Sequence, residues 1–206
     1  MLYHSQELIT HYWLTPFIAK MLDVDNAEAL YQYLRKLDNA MFCNPRKDLR
    51  TNSYSMLSIP DVDLKGDATY VVETLDYPHG TSFPSYWFYK LDYILWEQRA
   101  NLNKQERWGD YRMTAKNSVE HISPQNPQKH DDDIVYELDD SEEEMIRKQN
   151  DFGNLVLLTS SLNSEYSNKL YGVKRIEYKK KNRLDSLKSD IIFEHNQWNY
   201  DFALAH

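Results

Sequence analysis

Glu120 and His121 stand side by side in the segment Ser118-Val119-Glu120-His121-Ile122, with Pro124 and Gln125 just beyond. Their types match what hydrolysis of a phosphodiester requires. A water must lose a proton near neutral pH, and histidine is the side chain whose ordinary pKa suits that transfer. Negative charge on the phosphate and the leaving oxygen must be stabilised, a task for Mg2+ or Mn2+. These hard ions take oxygen ligands, so a carboxylate and amide oxygens suffice without a thiolate. The chain has one cysteine, which excludes an internal disulfide framework and a zinc site built on several thiolates. Its five glycines are too dispersed for GxGxxG or a P-loop, which excludes nucleotide chemistry by those motifs.

Short elements must bring these groups together. Ser118–Ile122 alternates apolar and polar residues and reads as a strand closed by Pro124. Neighbours on a strand point to opposite faces, so Glu120 and His121 share a site only if the strand ends or bulges there. Asn154 follows Gly153 and opens a second apolar run, Leu155 to Thr159. Ser160 or Ser161 then caps a helix that buries Leu162, Tyr166 and Leu170. That leaves Asn163 facing the strands, with Ser167 on the same face and Asn168 just beyond. Each residue alone has a plainer reading: a turn at Gly153-Asn154, a surface amide at Asn163, a satisfied core histidine at His121. Only the joint order of strand, long loop, strand and helix points to a nuclease. The six other histidines show no ligand spacing.

The spacing predicts a mostly helical region over 1–115 and a change of character over 116–206. Leu30, Tyr33, Leu34, Leu37 and Met41 form one helical stripe. Residues 44–84 carry four of the seven prolines and read as loop and short extended pieces. A helix starting near Pro84 holds Tyr86 through Trp96; its aromatic density reads as core rather than as a base-stacking platform. Residues 130–144 form an acidic insertion with nine acids and no Lys or Arg, and Ser141 with Glu144 is a capping box for a helix over 142–150. Residues 160–188 hold eight basic residues against three acids. The net charge of −8 therefore reflects one acidic segment and does not exclude DNA as a partner. No run reaches 18 apolar residues and no signal peptide is visible, so the expectation is a cytoplasmic protein without membrane contact.

SVEHISPQNP followed by FGNLVLLTSSLNSEYSNKLYGVKR resembles the HNH, or ββα-metal, nuclease motif. It is closest to the C-terminal HxxP domain of GmrSD-type modification-dependent restriction endonucleases, and it also resembles the HNH domain of CRISPR effector nucleases. The segment KLDYILWEQR is more loosely similar to the helical region that precedes the domain in GmrSD-type chains. The resemblance implies an α+β fold, mostly helical. A helical N-terminal region packs on a small ββα-metal motif, and a helical stretch follows. It implies that His121 is the general base, and that Asn154 holds the loop that orients it. Glu120 and Asn163 take the places of the protein's metal ligands, with Gln125 and Asn168 behind them. Lys169, Lys174 and Arg175 would contact phosphates. Mg2+ or Mn2+ would be the cofactor and DNA the substrate, in a bacterial anti-phage system acting on modified DNA. A catalytically silent nucleic-acid-binding or scaffold module, and an RNA-directed HNH nuclease, stay open as alternatives.

This sequence departs from the pattern twice. Many HNH sites have His or Asp where Asn163 stands. The loop between Gln125 and Asn154 is strongly acidic and lacks a frequent tryptophan, which makes it a candidate gate. The signature of the family's ParB-like nucleotide-binding domain is absent. The expectation is a piece of a longer protein or a separate partner, and the end at NQWNYDFALAH favours a trimmed chain.

Overall fold

Apolar stripes and aspartate caps fold the N-terminal residues into helices in this computed structural model, which describes residues 11–45, 48–126, 134–181 and 183–206. Helix α1 (Leu14–Asp23) carries Pro16 in its first turn, where a missing N–H breaks no helical bond. Helix α2 (Ala27–Phe42) starts at Asn26, whose side chain accepts from the Ala29 N–H at 2.9 Å. Loop and extended pieces were the expectation over 44–84, yet α3 (Leu49–Ser55) and α4 (Ala68–Asp76) form there. Aspartates account for the difference. Asp48 accepts from the Thr51 N–H at 2.9 Å, and Asp67 from the N–H groups of Thr69 at 2.9 Å and Tyr70 at 3.2 Å. Tyr33, Leu37, Met41, Met56 and Leu64 bury the apolar faces together.

The chain divides into two compact units, parting between Asp76 and Tyr77. The second unit runs through α5 (Ser85–Glu97), α6 (Gln105–Trp108), β1 (Ser118–His121), α7 (Glu142–Gln149), β2 (Leu155–Leu158), α8 (Ser160–Tyr166), α9 (Tyr171–Lys181), α10 (Leu187–Ile192) and α11 (Tyr200–Leu204). The change of character expected at 115/116 therefore falls inside this unit. Buried polar bonds are the reason. Asp92 on α5 accepts from the backbone N–H groups of Leu187 at 2.9 Å and Lys188 at 3.1 Å. Arg107 on α6 holds Asp190 of α10 through both carboxylate oxygens, and the Trp108 indole N–H joins it at 2.8 Å. Cutting the chain at 115 would leave these groups unpaired.

The sheet is small and local. Strands β1 and β2 pair antiparallel, with Glu120 opposite Val156 and His121 opposite Leu155. All four residues of β2 are buried, so it runs through the core rather than over it. Val156, Leu158 and Ile122 pack there with Leu162, Tyr166, Tyr171, Phe193 and Trp198. The cap of α8 is Thr159, not Ser160 or Ser161. The helix also stops early. Ser167 adopts φ +45°, so Leu170 lies beyond α8 and the basic segment starts afresh as α9.

Two features tie the loops to this core. The described part of the acidic insertion is anchored, not free: Val135 is fully buried and Asp140 is ion-paired with Lys148 at 2.7 Å. His130 to Asp133 lie outside the described residues. A deletion of 130–144 would therefore remove core packing as well as charge. Gly153 precedes β2 where α11 approaches, and a Cβ there would meet the Ala203 carbonyl oxygen at 1.8 Å. Gly153→Ala is expected to cost about 1–3 kcal/mol or more of stability, because a backbone must move. A thermal melt checks it; an unchanged midpoint would show that α11 yields freely.

Candidate functional site

The site is built where β1 stops. After His121 the backbone turns out of the strand, and Asn154 holds the turn. The Asn154 carbonyl accepts from the Ile122 N–H at 2.8 Å, and its Oδ1 accepts from the Ser123 N–H at 2.9 Å. The Trp198 indole N–H donates to the same Oδ1 at 3.0 Å, while the Asn154 amide donates to the Gln149 carbonyl at 2.9 Å. Lys174 of α9 secures the turn from beneath. Its ammonium donates to Glu120 Oε1 at 2.7 Å, to the His121 carbonyl at 2.6 Å and to the Ile122 carbonyl at 3.4 Å. This turn lets the adjacent Glu120 and His121 border one cleft, which a continuing strand would forbid.

That cleft has a volume of about 370 Å3 and is lined by Glu120, His121, Pro124, Gln125, Asn126, Asn163, Ser167 and Asn168. Five of the residues expected at the site thus meet: Glu120, His121, Gln125, Asn163 and Asn168. Asn168 clamps the far wall, accepting from the Asn126 N–H at 3.4 Å and donating to its carbonyl at 2.8 Å. Gln149 donates to the Gln125 carbonyl at 3.0 Å. Asn163 donates to Ser118 Oγ at 2.6 Å, and its Oδ1 is buried with no partner among the described residues.

The electrostatics follow from burial. Glu120 is 9% exposed. Burial pushes its carboxyl up, and the Lys174 charge pulls against that. The same burial pushes the Lys174 ammonium down. The second carboxylate oxygen of Glu120 has no hydrogen-bond partner among the described residues. Burial also lowers the pKa of His121, partly offset by its hydrogen bond to Asn150, so the ring is neutral near pH 7. Its Nε2 lies 3.0 Å from Asn150 Oδ1.

Other expected residues do not reach the cleft. Asn154 is fully buried behind it and acts only through the backbone it holds, so it is a positioning residue rather than a catalytic one. Lys174, expected on phosphate, is fully buried and ion-paired with Glu120. That is a correction: its charge is consumed inside. Lys169 pairs with Glu177 at 2.8 Å, and Arg175 donates to the Phe193 carbonyl and to Asn196. Neither borders the cleft. Asn150 and Gly80 were missed, since a helix-end asparagine and a lone glycine carry no motif.

Among protein families, that of the GmrSD restriction endonucleases, C-terminal domain, matches residues 73–206. The chain belongs to this family. The matched span covers Tyr77–His206 of the second unit and therefore the cleft. GmrSD membership points to a nuclease of the restriction endonuclease type. No curated protein and no solved structure gives a significant match to the chain. No helix among the described residues is long and apolar enough to cross a membrane.

Proposed function

We propose that the second unit is a metal-dependent DNA endonuclease of HNH, or ββα-metal, type. The carrying observation is the single cleft that gathers Glu120, His121 and Asn163 where two antiparallel strands meet the following helix. In this reading His121 Nδ1 takes the proton from an attacking water, because Nε2 is engaged by Asn150. The amide wall of Gln125, Asn126 and Asn168 borders the space for the phosphodiester. Two oxygens suit a hard divalent ion: the partnerless Oε of Glu120 and the orphaned Oδ1 of Asn163. Among the described residues no three His, Cys, Asp or Glu side chains converge. Mg2+ keeps several waters and needs few protein ligands, so one carboxylate and one amide oxygen suffice as the protein's share. When bound, Mg2+ or Mn2+ would stabilise charge on the phosphate and the departing oxygen.

The family reading extends this to anti-phage restriction of modified DNA, together with a ParB-like nucleotide-binding domain in the same chain or a partner. One observation favours a second reading, a catalytically silent nucleic-acid-binding or scaffold module: the Lys174 ammonium already neutralises Glu120. Supercoiled plasmid incubated with Mg2+ or Mn2+ separates the two. Metal-dependent nicking, abolished by EDTA, is expected; none over a range of metals would leave the silent module. Labelled RNA in the same assay tests the RNA-directed alternative.

The ligand assignment has its own check. Glu120→Gln keeps an acceptor for Lys174 but loses the anionic oxygens. Mn2+ is expected to raise the melting temperature of the wild type and not of this variant. An equal rise in both would remove Glu120 from the metal site.

A further inference from the structure

The general-base reading leaves open what decides which ring nitrogen of His121 is free. Two tautomers of neutral imidazole differ little in energy, so a neighbour must choose. Asn150 is placed to do so. It stands at the end of α7, where its own N–H closes the helix on the Ile146 carbonyl at 3.1 Å. Its Oδ1 lies 3.0 Å from His121 Nε2, and an amide oxygen can only accept. Nε2 therefore carries the hydrogen and Nδ1 the lone pair. No partner occupies Nδ1 among the described residues.

A second element reserves the place for this amide. Gly80 has φ +57°, a region that side-chain-bearing residues rarely adopt. Its N–H donates to the Asn150 carbonyl at 3.3 Å. A Cβ on Gly80 would meet Asn150 Oδ1 at 2.5 Å and its Cγ at 2.9 Å. Glycine is thus required twice, for its backbone angle and for the space. The short turn Gly80–Ser82, the end of α7 and the end of β1 converge on one hydrogen bond.

The geometry points to Asn150 as the residue that fixes His121 in the Nε2–H tautomer, with Gly80 reserving the space its side chain fills. The assignment rests on His121 as the general base for its functional meaning, but its structural content is separate. Asn150 is a positioning residue, since it does not border the cleft. Replacing it should lower kcat and leave KM for DNA nearly unchanged.

Ring 15N shifts of the histidine-labelled full chain at neutral pH test this directly, with the His121 signals among the seven histidines identified by their loss in His121→Ala. The wild type is expected to show His121 protonated on Nε2 alone. Asn150→Ala should show averaged tautomers and a kcat for plasmid nicking lower by about 10–100-fold, the usual cost of removing a group that orients a working histidine. Asn150→Asp keeps the acceptor and should restore both. Gly80→Ala, which pushes against Oδ1, should mix the tautomers as Asn150→Ala does and serves if that variant fails to fold. An unmixed Nε2–H tautomer in folded Asn150→Ala, or in Gly80→Ala if that variant alone folds, would overturn the assignment. So would an Asn150→Asp variant that behaves like alanine. Tautomers that shift as expected in a protein that cuts no DNA would support the Asn150 assignment and sink the general-base reading instead.

Discussion

His121→Ala is expected to lower metal-dependent nicking of supercoiled plasmid about 10²–10⁴-fold, the usual contribution of a positioned general base. The loss should appear in kcat, because the side chain acts on the water and not on the bulk of the DNA. The fold should survive. His121 is 4% exposed, but its one side-chain hydrogen bond goes to Asn150, which is only half-buried. Removing it leaves no deeply buried group unsatisfied, so the cost is about 1 kcal/mol for the bond plus the packing lost with the ring. DNA binding at low salt should be close to that of the wild type, since the change removes no fixed positive charge. Equal nicking by both proteins would end the mechanism proposed for His121. If His121→Ala keeps the Mn2+-dependent rise in melting temperature while Glu120→Gln loses both that rise and nicking, the base and the metal-binding groups are separated cleanly.

The pattern of what could be read in the sequence has a physical basis. β1, β2, α5 and α7 were legible because each is specified within its own window: alternation, an apolar run, a proline start, a capping box. The cleft was legible for a related reason. Glu120, His121, Gln125, Asn163 and Asn168 sit on neighbouring strands and the helix directly after them, so short connections bring them together. Helices α3 and α4 were missed because both are short, lie among prolines and start at aspartate caps rather than on a long apolar stripe. The bonds from Asp92 and Asp190 that tie the residues on either side of 115 together span more than 80 residues, so no local window of the sequence shows them. The basic run misled most. Read locally, the run offers Lys169, Lys174 and Arg175 as phosphate contacts. In three dimensions Lys169, Lys174, Lys181 and Arg183 each meet an acid, and Lys188 is buried against the Phe152 carbonyl. Lys179 and Lys180, at the end of α9, have no acid partner among the described residues. Apart from Arg183, whose partner Asp185 is a near neighbour, the burial and ion pairing act at separations of 8 to 54 residues and leave no trace in spacing.

Lys174→Met is expected to have the largest effect on stability, about 3–5 kcal/mol, the range for removing one partner of a buried ion pair. The ammonium spends its three hydrogens on Glu120, the His121 carbonyl and the Ile122 carbonyl, and it is fully buried. Methionine fills much of the volume but leaves a buried carboxylate without its counter-charge and two carbonyls without a donor. Urea unfolding of wild type, Lys174→Met, Glu120→Gln and the double variant isolates the pair. The double variant should recover part of the loss, because a neutral amide beside a thioether costs less than a lone anion. A loss below about 1 kcal/mol in Lys174→Met would mean that the carboxylate simply protonates and the pair is dispensable, since surface-like pairs contribute at most that. The same variant also probes function. Removing a positive charge 2.7 Å from Glu120 Oε1 should raise the affinity of the site for a cation. Mn2+ is therefore expected to stabilise Lys174→Met by more degrees than it stabilises the wild type, partly offsetting the lost ammonium. A smaller rise than in the wild type would show that Lys174 holds Glu120 in its binding orientation rather than competing for it. In that case stability and metal affinity would depend on the lysine in the same direction.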